Sequence, residues 1–295
     1  MPELPDITVY VEALARRVVG DALTSVRVTN PFVLRTVNPP LDALVGRRVE
    51  SVERLGKRVV LRFEGDYWLV LHLMIAGRLW WADATGKPFK RQSLAVLAFP
   101  RGWLHLTEAG SKRRASLHVA SGADALAVHD RGGLEPLTST IESFGARVRS
   151  ERHTVKRALA DPRLFSGIGN AYSDEILHRT QLSPMARTDT MDESTVARLH
   201  AAVLSVHTEW TDRLRGEAGD GWPQHVTAFR PEMAVHGKFG QPCPDCGKPV
   251  QRIRYAENET NYCARCQTGG RLLADRALSR ILRDDWPRSL DELES

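Results

Sequence analysis

Apolar residues recur at helical spacing from the start of the chain. Ile7, Tyr10, Val11, Leu14 and Val18 fall on one face of a helix spanning residues 6–19, with Asp6 placed as its N-cap. From Leu23 to about Ala120 the period shortens to that of strands. The clearest segments are Ser51–Val52, Arg58–Phe63, Tyr67–Met74, Ser93–Phe99 and Ser116–Val119, and Glu64-Gly65-Asp66 and Pro100-Arg101-Gly102 carry hairpin-turn residues. The pattern predicts a β-sandwich or barrel with a leading helix over residues 1–130. The turn-rich run His129–Pro136 opens a linker placed at 131–149. Helical spacing returns in Val155–Leu164, Ala171–Thr180 and Ser194–Arg215. In the last of these Leu199, Val203, Val206, Trp210 and Leu214 mark one buried face. A helical domain is therefore expected over 150–236, then a cysteine module over 237–270 and an extension over 271–295, within which Arg271–Leu282 reads as a short amphipathic helix. The fold class is α+β and multidomain.

At 295 residues, 42% hydrophobic and 26% charged, the chain is long enough for two domains and a small module, each with an ordinary globular core. The net charge is +5, yet Arg283–Ser295 holds five acids against two bases, so the remaining body is more basic than the whole and suits an anionic partner. Met1–Tyr10 has no Lys or Arg, and Glu3, Asp6 and two prolines stand where a secretory signal needs apolar residues. The longest apolar run, Tyr67–Ala76, is interrupted by His72 and is too short to cross a bilayer. A cytoplasmic protein, nucleoid-associated if bacterial and without a membrane partner, is expected.

All four cysteines lie in two pairs, Cys243-Pro-Asp-Cys246 and Cys263-Ala-Arg-Cys266, sixteen residues apart. That spacing predicts one tetrahedral zinc site, structural because four protein ligands leave no open position. Between the pairs, residues 250–255 alternate as a strand and Glu257-Asn258-Glu259 reads as a hairpin tip. Ser166-Gly-Ile-Gly-Asn170 sits between two helical runs, where the helix beginning near Asn170 offers unpaired backbone amides to a phosphate; an ordinary glycine-rich connection reads equally well. Lys57 follows Leu55-Gly56 in a loop just before a strand. At the terminus, removal of Met1 before the small Pro2 leaves a secondary amine beside Glu3. An α-amine titrates at about 7.7–8.0, so part of it is free base near neutrality, which suits a Schiff-base nucleophile.

The Pro-Glu-Leu-Pro of residues 2–5, the Leu-Gly-Lys of 55–57, the run Ser-Gly-Ile-Gly-Asn-Ala-Tyr-Ser-Asp-Glu-Ile-Leu of 166–177 and the Cys-Ala-Arg-Cys-Gln of 263–267 occur in that order. Together they resemble the formamidopyrimidine-DNA glycosylase and endonuclease VIII family from Met1 to about Gly270. The resemblance implies an N-terminal β-sandwich, a helical domain with a helix–two-turn–helix unit, and a zinc finger. Damaged double-stranded DNA would bind in the cleft between the domains of a monomer. It further implies Pro2 as nucleophile with Glu3 as acid/base residue. Lys57 and Asn170 would hold phosphates around the flipped nucleotide, and Lys156 would be a basic position near them. The expected activity is a bifunctional glycosylase and AP lyase with one structural Zn2+ as the bound cofactor. A non-catalytic damaged-DNA-binding protein of the same fold, and more remotely an RNA-binding zinc-ribbon protein, remain as alternatives.

Three departures from the family pattern stand out. The Asp-Pro-Arg-Arg-Phe-Gly segment that fills the gap left by a flipped base is replaced by Thr107-Glu-Ala-Gly-Ser-Lys-Arg-Arg114, without the Phe. Met74 and Ile75, at a strand end, are bulky enough to wedge between bases instead, although they read equally as core residues. The finger arginine five residues before the third cysteine becomes Asn258, which leaves Arg252 and Arg254 on the preceding strand to supply a phosphate contact. Residues 271–295 run beyond the usual end.

Overall fold

The computed structural model describes residues 1–85, 92–109, 113–255, 258–275, 281 and 287–294. The chain divides into two compact units, one of residues 1–132 and 208–228, the other of residues 133–207 and 229–295.

The first unit is a β-sandwich with a leading helix. Helix α1 (Leu4–Val18) turns Ile7, Tyr10, Leu14 and Val18 into the core, each buried. It begins two residues before the sequence pattern suggests. Glu3 is the N-cap, and Asp6 is the third helical residue, whose carboxylate accepts the Glu3 N–H at 2.9 Å in a capping box.

The strands are β1 (Ser25–Val28), β2 (Val49–Leu55), β3 (Arg58–Phe63), β4 (Tyr67–His72), β5 (Gly77–Asp83), β6 (Ser93–Phe99), β7 (Gly102–Glu108) and β8 (Ser116–Ser121). They form two antiparallel four-stranded sheets ordered β1-β6-β7-β5 and β2-β3-β4-β8. Leu61, Leu69, Leu97, Leu104, Leu106 and Leu117 are fully buried in one apolar cluster to which both sheets contribute. A short helix, α2 (Ala123–Ala127), follows β8.

The stretch 131–149, expected as a linker, contains helix α3 (Ile141–Arg149). Thr140 Oγ1 caps it by accepting the Ser143 N–H, and Phe144 and Val148 are buried. Helix α4 (Val155–Ala160) and helix α5 (Asn170–Arg179) flank the turn of residues 161–169. Helix α6 (Glu193–Ala218) buries the predicted stripe Leu199, Val203, Val206, Trp210 and Leu214.

Residues 208–228, which fall inside the helical segment expected to run to 236, belong to the first unit. Trp222 is the reason. Its ring lies 5.6 Å from Tyr10 and 6.4 Å from Trp81, and its indole N–H donates to the Leu79 carbonyl at 2.9 Å. A forked ion pair from Arg215 to Glu12, at 2.6 Å, adds to the attachment.

In the second unit β9 (Gln251–Tyr255) and β10 (Asn258–Tyr262) form an antiparallel hairpin, followed by α7 (Ala264–Thr268). Asn258 and Glu259 are strand residues paired with Tyr255 and Arg254 and not the hairpin tip; Glu257 lies outside the described residues. Of the helix expected over Arg271–Leu282, residues 271–275 are not helical, Ile281 is helical, and 276–280 and 282 lie outside the described residues. Among the described residues no helix is long and apolar enough to cross a membrane.

Candidate active site

Pro2 and Glu3 are buried, Glu3 at 2% exposure, because the capping box draws the terminus down onto the first turn of α1. Burial lowers the α-amine carried by Met1 below its usual value. The charges of Arg78 and Lys57 act the same way, against the raising effects of Glu3 and Asp6. Terminal amine, Glu3, Lys57 and Arg78 thus share one electrostatic neighbourhood. An amine desolvated between cations carries its lone pair free at a lower pH than an exposed one.

Lys57 occupies the two-residue turn that joins β2 to β3, where Gly56 takes the positive φ (+61°) such hairpins require. Across the next strand pair, Arg58 stands opposite His72. Burial, reinforced by Arg58 and Lys57, lowers the His72 imidazole to about 4, so it is neutral at pH 7. Neither His72 nor Arg78 was singled out in the sequence, although both flank the Leu-Met-Ile-Ala-Gly run of residues 73–77.

Met74 and Ile75 lie in the turn between β4 and β5. Met74 adopts φ +53°, a backbone state uncommon for a residue with a side chain, and Ile75 is 58% exposed. The turn is held shut from within. Gly77 N–H donates to the Leu73 carbonyl at 2.9 Å, and a Cβ on Gly77 would sit 2.2 Å from that oxygen, so only glycine fits. The Arg78 guanidinium donates to the carbonyls of Gly77 at 2.7 Å and Ile75 at 3.2 Å. Ile75 is therefore presented on a rigid tip and is not a core residue; Met74 is partly buried. The segment in place of the family's Phe-bearing loop is pinned at its base, where the Glu108 carboxylate accepts the Arg114 and Ala115 N–H groups at 2.9 and 3.0 Å; Gly110–Lys112 lie outside the described residues.

In the second unit Asn170 opens α5, directly after the glycine turn. Its Nδ2 donates to the Glu259 carbonyl of β10 at 2.8 Å, which ties the helix N-terminus to the finger hairpin. Lys156, expected as a basic DNA-binding position, is 9% exposed and engaged inside the protein. Its ammonium donates to the Asn170 carbonyl at 2.6 Å and to Asp174 Oδ1 at 2.5 Å. Asp174 also faces His236 Nδ1 at 2.7 Å and accepts the Asn261 N–H at 3.2 Å, while Glu175 accepts three consecutive N–H groups from Ala234, Val235 and His236. The sequence motif contains these acids without indicating what they bind; residues 171–178 are buried all round the helix, so polar side chains there find partners inside the protein.

The four cysteine sulfurs lie within 4.8 Å of one another, with 4.0 Å between Cys243 and Cys266 and 3.4 Å between Cys246 and Cys263. A tetrahedral Zn2+ with bonds of about 2.3 Å sets its sulfurs about 3.8 Å apart, so the donor set fits the ion in both chemistry and spacing. His178, which the spacing of cysteines does not reveal, brings Nε2 to 3.2 Å from Cys243 Sγ. On the hairpin, Arg252 packs 4.1 Å over the Phe239 ring and lies 3.6 Å from Glu259, whereas Arg254 is exposed and makes no ion pair among the described residues.

Residues 1–115 match the formamidopyrimidine-DNA glycosylase N-terminal domain, 133–212 the formamidopyrimidine-DNA glycosylase H2TH domain, and 240–269 the zinc finger found in FPG and IleRS. The last match, with the thiol cluster, makes the cysteine module a structural Zn2+ site. A formamidopyrimidine-DNA glycosylase of Desulforamulus reducens is 31% identical over 281 residues, taking in 90% of this chain and 99% of the relative. One from Exiguobacterium sibiricum is 30% identical over 280 residues, with 90% and 99% covered. The fold is that of the Lactococcus lactis formamidopyrimidine-DNA glycosylase non-covalently bound to AP-site-containing DNA, at TM-score 0.77, 24% identity and 90% and 99% coverage. A mutant of the Lactococcus enzyme in complex with Fapy-dG-containing DNA gives TM-score 0.79 at 24% identity, with 90% and 100% covered. The chain belongs to the formamidopyrimidine-DNA glycosylase family.

Proposed function

We propose that this protein is a bifunctional DNA glycosylase and AP lyase that removes oxidised bases from double-stranded DNA, with the amine of Pro2 as nucleophile after loss of Met1. The observation that carries the reading is the buried amino terminus, held beside Glu3 under the positive charge of Lys57 and Arg78, in a chain of this family. A protein that only binds DNA has no use for a desolvated terminal amine.

The damaged nucleoside leaves the stack, which costs least where pairing or stacking is already impaired. The Pro2 nitrogen attacks C1′ as the C1′–N bond breaks, and the proton lost from the amine leaves with the base; Glu3 then protonates the sugar ring oxygen as the C1′–O4′ bond opens, which leaves Pro2 joined to C1′ as an iminium. The resulting iminium acidifies C2′–H, so loss of that proton expels the 3′ phosphate and a second elimination expels the 5′ phosphate. Lys57 and the start of α5 at Asn170 bind phosphate. Lys156 is a positioning residue that holds the Asn170 carbonyl through its pairing with Asp174. Duplexes bearing an oxidised purine, an oxidised pyrimidine and a preformed abasic site test the reading. Excision of at least one lesion together with nicking of the abasic site is expected, and binding without cleavage of any of the three would contradict it.

The rigid 74–76 turn is the element that fills the vacated stack, with Ile75 at its tip and Met74 behind it. Ile75→Ala and Met74→Ala are expected to slow excision from a paired lesion while leaving nicking of an abasic site, where no base need be displaced, nearly unchanged. In the absence of the family's Phe, 8-oxoguanine is expected not to be the favoured lesion. Efficient 8-oxoguanine excision unaffected by either substitution would remove this assignment.

On the finger, Arg254 is the cation available to DNA and Arg252 is internally engaged. Arg254→Ala is expected to reduce the salt slope of binding by about one unit, independent of sequence, and Arg252→Ala to reduce it less. Equal slopes in wild type and Arg254→Ala would place the hairpin away from the DNA.

A further inference from the structure

Residues beyond the matched zinc finger build a cavity against it. Helix α7 ends at Gly269 and Gly270, both with positive φ, and the chain then pairs with residues 288–290. Leu272 N–H donates to the Arg288 carbonyl at 2.9 Å, Leu290 N–H to the Gly270 carbonyl at 3.0 Å, and Arg271 forms an antiparallel bridge with Ser289. Leu272, Leu273 and Leu290 are buried in one cluster with Ile253, Tyr262 and Ala264 of the finger. Two polar bonds lock the same join: Leu273 N–H donates to the Tyr262 hydroxyl at 2.8 Å, and Arg254 N–H to the Asp275 carboxylate at 2.8 Å. The segment is part of the finger's own fold, and a short helix, Leu290–Glu294, closes it.

The cavity between the two parts has a volume of about 610 Å³, and its charged lining is Lys248, Arg265, Arg271 and Arg288 against the carboxylate of Asp291 and the zinc-ligand sulfur of Cys246. Arg265, Arg271 and Arg288 are exposed and make no ion pair among the described residues. The three exposed arginines face one hollow and repel one another, which an anion bound among them would relieve. Arginine forks match the paired oxygens of a phosphodiester, and the Ser289 hydroxyl, also in the lining, adds a neutral donor. The finger meanwhile carries Asn258 where the family pattern has arginine, so it has lost one phosphate-binding cation at the hairpin.

We propose that the zinc finger and the C-terminal segment together form a second phosphate-binding site, which takes the sugar-phosphate backbone of DNA through Arg265, Arg271 and Arg288. This rests on the DNA-repair reading above. It makes the C-terminal segment a binding element and adds a second charge contact to the one that Arg254 supplies from the hairpin.

The test is binding of the full-length protein to a duplex with a stable abasic-site analogue across a salt series, with inorganic phosphate as competitor in a second arm. The triple variant Arg265→Ala/Arg271→Ala/Arg288→Ala is expected to bind at least about tenfold more weakly near 0.1 M salt, with a salt slope smaller by about two to three units. Its zinc content should equal that of wild type, and replacing the same three residues by Lys should restore most of the slope. If the triple variant loses zinc, single Arg271→Gln and Arg288→Gln variants give the same reading in steps of about one unit. Unchanged slope and affinity in zinc-loaded variants overturn the proposal, as does competition by inorganic phosphate with no change in DNA slope. A wild-type protein that fails to bind duplex DNA at low salt overturns the DNA-repair reading instead, so the two failures are distinct.

Discussion

A chain whose amino terminus is blocked, by retained Met1 or by acetylation, is expected to lose base excision and strand nicking together, each by several orders of magnitude. An amide nitrogen at residue 2 has no lone pair to offer C1′, and no other step begins until that bond forms. Burial and the charges of Arg78 and Lys57 lower the amine carried by Met1, with Glu3 and Asp6 opposing. The Pro2 amine uncovered by loss of Met1 lies one residue along in the same neighbourhood, so the acid limb of nicking on a preformed abasic site is expected at lower pH in the folded enzyme than the titration of the same amine in the unfolded chain. Glu3→Gln separates the two steps. Base removal is expected to fall by about 10²–10⁴-fold, and nicking of an abasic site, where no base remains to leave, by much less. Equal losses in both assays would mean that Glu3 serves chiefly to cap α1.

The second large effect is expected from the zinc centre. Cys243→Ser removes a buried thiolate that packs with Val235, Val250 and Cys263 in a small core. Metal affinity in such modules amounts to about 10–16 kcal/mol, most of which is folding free energy, so the variant is expected to hold no stoichiometric zinc and to lose the hairpin. The damage extends beyond the finger, because Asn170 is tied to the hairpin through the Glu259 carbonyl and Asn261 accepts the Gly237 N–H at 2.8 Å. DNA binding is expected to fall with the metal, while the β-sandwich retains its own core. Metal analysis and thermal unfolding check this together. A full equivalent of zinc in Cys243→Ser would contradict the four-thiolate assignment.

Much of this organisation was legible in the sequence because local pattern and tertiary burial agree. Strands β3 and β6 and the face of α6 fall where apolar periodicity puts them, and the cysteine spacing alone specifies the zinc site. Strand β1 was missed because its residues alternate between exposed and half-buried, which gives little contrast. Strand β5 was missed because the turn at 73–76 lies inside a continuous apolar run, and Gly77, which a close backbone approach requires, reads only as a small residue. Helix α3 was hidden by turn-forming neighbours upstream. The attachment of residues 208–228 to the sandwich depends on Trp222 meeting Tyr10 and Trp81, a contact far along the chain that no local window contains. At the sites, Pro2, Glu3 and Lys57 were identified by their place in a motif. Their charged neighbours Arg78 and His72, and the engagement of Lys156 by Asp174, follow only from the fold. A motif shows which side chains are present, and their packing decides which are available to a ligand.

The covalent claim is tested most directly by reducing the reaction with borohydride while a lesion duplex is being processed. If the Pro2 amine attacks C1′, reduction of the iminium yields a stable protein–DNA adduct, and peptide mapping of the purified protein places it on residue 2 with Met1 absent. An adduct mapped to Lys57, or full excision and nicking by a protein whose terminus is shown by mass to be blocked, would contradict the account.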